Sequence, residues 1–141
     1  MEDTIDKNAT HHYKAEMLFE VAEQITNISK DVILSKQRYG KIALVRNIIG
    51  YMLNRDVGLT TIESGKKINR DHSTIVYYGN KFSSNYKYYK GFRETYDLIA
   101  ELFWSRFVVE EQEEIDLQVR SLQALIEKLK RKTEYLLIKN K

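Results

Sequence analysis

Cysteine and proline are both absent from the 141 residues, and glycine occurs six times. Without cysteine there is no disulfide, no thiol nucleophile and no thiolate metal site. With no proline and little glycine, the turns an all-β fold leans on have few natural residues. No apolar run approaches the roughly 20 residues of a membrane helix. The first ten residues, MEDTIDKNAT, are acidic and polar and lack the apolar core of a secretory signal. These absences lead us to expect a cytoplasmic protein with no membrane partner. No nucleophile–base pattern, paired carboxylates with a plausible cleft or glycine-rich phosphate loop occurs, so no enzyme is expected and no cofactor. His11 and His12 are adjacent but have no further ligand at useful spacing, so no metal site is expected.

What is present points to helices. Apolar residues make up 43% of the chain, enough for a core, and strong helix formers dominate. The net charge of +3 conceals an uneven distribution. The flanks are acidic on balance, and positive charge gathers between Lys36 and Arg93. A polyanion would be held there. A lysine-rich solvated surface is the plainer alternative.

Periodicity sets out an all-α chain. Leu18, Val21, Ala22, Ile25 and Ile28 share one face over residues 13–29. Lys30–Ser35 reads as a short helical turn, followed by a basic stretch with Lys36, Arg38 and Lys41. Residues 41–55 form a helix with Val45, Ile48, Ile49, Met52 and Leu53 on its apolar side, and Gly58 ends it. Thr60 and Glu63 fit a capping box. Asn69 suits a tight turn, and Asp71 suits the N-cap of the next helix. In that helix Ile75, Tyr78, Gly79 and Phe82 share a face, with Ser73, Tyr77, Asn80 and Lys81 opposite. A short helix, a tight turn and a second helix with a polar first turn make a helix-turn-helix.

Beyond Gly91 nothing breaks a helix as far as about Ile138. Leu98, Ile99, Leu102, Phe103 and Phe107 could pack on the preceding domain. A heptad follows, with Val119, Ile126 and Thr133 at the a-type positions and Ile115, Leu122, Leu129 and Leu136 at the d-type positions. β-Branched a and mostly leucine d favour a parallel two-stranded coiled coil, hence a homodimer. Leu117, Leu125 and Leu137 lie off that seam and fit the alternative, a helix folded back on its own domain. The expected domains are a flexible tail at 1–12, a helix-turn-helix domain at 13–92 and a long helix at 93–141.

The run from Glu63 to Thr74, ESGKKINRDHST, resembles the signature of the C-terminal DNA-binding domain of the bacterial replication initiator DnaA, which typically reads E-I-G-x-x-[FL]-x-R-D-H-[ST]-T. Leu34-Ser35-Lys36-Gln37-Arg38 resembles that family's basic loop, and Arg46 with Tyr51 resembles its following helix. The resemblance covers about residues 15–90. It implies a prokaryotic or phage-like duplex-DNA binder, acting in replication initiation, its regulation or transcriptional control. Arg38 would enter the minor groove, and Asp71, His72, Ser73 and Thr74 would face base edges. Among the basic residues, we expect Lys36, Lys41, Arg46, Lys66, Arg70 and Lys81 at phosphates. Departures are Ser64, where the family is apolar, Leu44 and Val45 in place of an arginine and a proline, and Asn54 where a lysine is common. No Walker A pattern is present, so any ATPase would be a separate replication protein. The competing reading is a degenerate relative that serves as a protein-interaction module through its long helix.

The chemistry of the Asp71–Thr74 segment suits base reading in its own right. A carboxylate accepts from the cytosine amino group, and His, Ser and Thr donate or accept at groove edges. A helix N-terminus presents free N–H groups and a positive dipole end to phosphate.

Overall fold

Helix α1 runs Lys7–Thr26 in the computed structural model, which describes residues 7–139. It opens ahead of the expected start, so His11 and His12 sit on a helix rather than in a tail. Leu18, Val21 and Ala22 are buried as the periodicity requires, and Ala15, Met17 and Phe19 widen the buried face. Asn27 ends the helix with φ 62°, a left-handed conformation that asparagine tolerates. Helix α2, Lys30–Leu34, starts at Ser29, whose side chain accepts from the Val32 N–H, and it buries Ile33.

Helix α3, Gly40–Met52, carries Val45, Ile48, Ile49 and Met52 into the core. It continues as a wider π-type turn, Leu53–Val57, which Gly58 closes at φ +93°. Helix α4, Thr61–Lys67, has the expected capping box. The Thr60 hydroxyl accepts from the Glu63 N–H at 3.1 Å, and Glu63 Oε1 accepts from the Thr60 N–H at 2.9 Å. Helix α5, His72–Tyr88, is capped by Asp71. Helix α6, Lys90–Lys139, is 50 residues long. The described residues hold six helices and no strand, so the fold is all-α. None of these helices is long and apolar enough to cross a membrane.

The chain divides into two units that meet between Trp104 and Ser105, within α6. In the first unit an aromatic cluster joins α3, α5 and the start of α6. The Tyr51 and Phe82 rings stack at 4.0 Å, and Tyr96 meets Phe82 edge-on at 4.8 Å. Phe92, Ile99 and Phe103 bury their side chains in the same unit, whereas Leu98 is exposed. The second unit is the remainder of α6, in which every residue from 111 to 139 is exposed.

Candidate nucleic-acid interface

The turn between α4 and α5 is tight because Gly65 has no side chain. Its carbonyl accepts from the Ile68 N–H at 3.2 Å and the Arg70 N–H at 2.8 Å. A Cβ on Gly65 would lie 2.6 Å from the Arg70 carbonyl oxygen. Asn69 then adopts φ 58°, the left-handed turn its side chain favours. Ile68 and Ser64 are both fully buried, while Ile62 is exposed. The Ser64 hydroxyl is buried without a hydrogen-bond partner.

Asp71, His72 and Ser73 are exposed at the start of α5, and Thr74 is half-buried. Asp71 Oδ2 accepts from the Ser73 N–H at 3.1 Å and from the Ser73 hydroxyl at 2.5 Å. These bonds, with smaller help from His72, hold the Asp71 pKa below the ordinary carboxylate value. The His72 ring lies 3.5 Å from the other Asp71 oxygen. Asp71 is therefore an N-cap that also orients the two neighbouring polar side chains.

The basic loop is fastened to this turn by three side chains that converge on its backbone. Arg46 Nε donates to the Ile33 carbonyl at 2.7 Å, and its Nη2 donates to Val32 at 3.3 Å and Ser35 at 3.2 Å. Arg70 Nη2 donates to the same Ser35 carbonyl at 2.7 Å, while its Nη1 reaches the Asn69 carbonyl at 2.9 Å. Asn69 Nδ2 donates to the Leu34 carbonyl at 3.2 Å. The loop and the helix-turn-helix are thus joined through carbonyls at 32–35, immediately before Lys36 and Arg38.

This arrangement corrects one expectation. Arg46 is 2% exposed, and its guanidinium is bonded to three backbone carbonyls, so it positions the loop and does not meet phosphate. Burial, then the nearby Arg70, lowers its pKa from the ordinary value. The sequence held a signal for this. Ile42, Arg46, Ile49 and Leu53 recur at helical spacing, which places Arg46 on the apolar stripe of α3. Arg70 is half-buried and is likewise engaged with backbone carbonyls. Lys36, Arg38, Lys41, Lys66 and Lys81 are exposed. Tyr78, on the face it shares with Ile75 and Phe82, lies near both Arg46 and Arg70, and burial raises its pKa.

Other departures from the family pattern have structural uses. Val45 is buried, and Asn54 donates to the Leu59 carbonyl at 2.8 Å, tying down the connection into α4. Tyr86 donates to Asp97 at 2.9 Å within the aromatic cluster, whereas Tyr77, Tyr88 and Tyr89 are exposed. No group of three or more potential metal ligands comes together among the described residues.

No protein-family model matches the chain. Over 64 residues the chain is 36% identical to the chromosomal replication initiator protein DnaA of Ureaplasma parvum serovar 3. That match takes in 45% of this chain but spans only 14% of the length of the Ureaplasma protein. The likeness supports a DnaA-related segment within this chain.

Proposed function

We propose that the chain is a sequence-specific reader of double-stranded DNA, related to the C-terminal DNA-binding domain of DnaA. It acts in replication initiation, its regulation or transcriptional control. The supporting observation is the Asp71–Thr74 turn, exposed at 71–73, held beside a basic loop by Arg46, Asn69 and Arg70. In this reading the first turn of α5 enters the major groove, where His72, Ser73 and Thr74 meet base edges. Asp71 caps the helix and accepts from a base amino group. Arg38 reaches the adjacent minor groove, whose narrow, electronegative form suits a guanidinium. Lys36, Lys41, Lys66 and Lys81 neutralise phosphates, and Arg70 supports the turn from behind. The reading domain corresponds to residues 13–92, extended by the start of α6.

Selection from random duplexes, followed by a salt titration, tests the proposal. A selected site is expected, with affinity falling steeply as salt rises. His72→Ala should erase preference at one or two positions, at a cost of about 1–3 kcal/mol. Lys66→Ala should weaken all duplexes alike and reduce the salt slope by about 0.9. Absence of any selected sequence, with no salt dependence, would leave the protein-interaction reading in its place.

A further inference from the structure

The distal part of α6 carries its charge in two blocks. Residues 110–116 include Glu110, Glu111, Glu113, Glu114 and Asp116 with no base, and residues 128–132 include Lys128, Lys130, Arg131 and Lys132 with no acid. Complementing the helix dipole does not explain this, because that effect is confined to the first and last turns. The acidic block lies well inside a helix that opens at Lys90. Along the same segment Ile115, Val119, Leu122, Ile126, Leu129 and Leu136 form an exposed apolar stripe at a and d spacing. The hydroxyl of Thr133, the one polar residue at these positions between 115 and 136, is satisfied by the Leu129 carbonyl at 2.9 Å. It can therefore face a partner without a stranded donor.

Charge decides how a second copy meets this stripe. In a parallel pair each block faces its own duplicate, and Glu111 at g faces Asp116 at e of the other copy. The basic residues Lys130 at e and Lys132 at g would face Leu125 and Leu137, which leaves no opposite-charge pair. In an antiparallel pair e meets e and g meets g. Asp116 then falls beside Lys130 of the other copy and Glu111 beside Lys132, each occurring twice by symmetry. The off-seam Leu137 then falls beside Val109 of the second copy, and both are exposed in the single chain.

We infer that residues 108–138 of α6 pair with the same segment of a second copy in the antiparallel sense, not the parallel sense that the a and d residues alone favour. The partner is a second copy because the acidic block and the basic block that match each other both lie on this one segment. The inference does not depend on DNA binding.

The test uses the full chain. Sedimentation equilibrium should give twice the monomer mass of 16.7 kDa. The chain has no cysteine, so Ile138→Cys accepts a single nitroxide label. At 1.5 Å rise per residue, the two labels of an antiparallel pair lie about 40 Å or more apart, against about 25 Å or less in a parallel one. Lys130→Glu with Lys132→Glu should weaken the dimer at least about tenfold. Adding Asp116→Lys and Glu111→Lys should restore it, which also shows that the variants fold. A monomer at all concentrations, the shorter label distance, or failure of the fourfold variant to recover would each overturn the inference.

Discussion

Gly65→Ala should destabilise the protein although it adds a good helix former to a helix. The new Cβ would stand 2.6 Å from the Arg70 carbonyl oxygen, 3.2 Å from the Asp71 carbonyl carbon and 3.3 Å from the Asp71 oxygen. Ordinary contact begins near 3.4 Å, so the turn must retreat by about 0.8 Å. All three atoms are backbone, so no side chain can swing aside. Overpacking of this kind costs about 1–3 kcal/mol, and the propensity gain of alanine over glycine returns about 0.5–1 kcal/mol. The net loss is about 1–2 kcal/mol, a fall in Tm of about 5–10 °C for a domain of this size. Gly79→Ala is the control. It also lies inside a helix, but nothing stands within 4 Å of the added Cβ. Alanine should stabilise there by about 0.5–1 kcal/mol. Thermal unfolding of the two variants beside the wild type reads both signs. Gly65→Ala should also weaken binding to the selected duplex beyond its effect on stability, since Arg70 and Asp71 move with the turn. Equal Tm values for the two alanine variants would refute the close approach on which the placement of α5 rests.

Ser64→Ala removes a buried hydroxyl that has no partner and should stabilise by about 1 kcal/mol, measured by urea unfolding. Asp56 is half-buried, with one carboxylate oxygen unpartnered, and burial raises its pKa despite the opposing charge of Arg55. A raised carboxylate pKa favours folding while the group is protonated and is lost as pH rises from the ordinary carboxylate range through the folded value. Asp56→Asn should therefore raise Tm at neutral pH and lose that advantage in acid, below the ordinary carboxylate range, which a pH series of melts would show. Arg46→Met leaves the Ile33 carbonyl without the bond it receives at 2.7 Å and releases the loop before Lys36. It should cost about 2–4 kcal/mol and weaken duplex binding, whereas a change confined to binding with stability intact would return Arg46 to the DNA surface.

The elements were legible wherever a local rule governs them. The α3 stripe, the Thr60–Glu63 box, the left-handed Asn69 and Gly58 and the Asp71 cap depend on residues a few places apart, and the structure has them as the sequence implies. Polar residues at a helix start also marked the exposed turn at 71–73. The basic loop was visible as a cluster of charge, but its attachment was not. Arg46 and Arg70 lie far from Ser35 in sequence, and an arginine looks the same whether it meets a phosphate or a backbone carbonyl. Only packing α2 against α3 makes carbonyls 32, 33 and 35 the partners of Arg46, because those groups stand at the end of a five-residue helix and have no intrahelical donor to satisfy them all. The apolar residues at the start of α6 were legible as a packing face, but only tertiary contact decides which of them enter the core: Ile99 and Phe103 are buried and Leu98 is exposed. The sequence by itself determined the caps and turns from Gly58 to Asp71, though not the start of α1, since those choices are made over one or two turns of backbone. The tertiary structure decided which cations face solvent and which hold the loop, because burial depends on what the rest of the chain brings alongside.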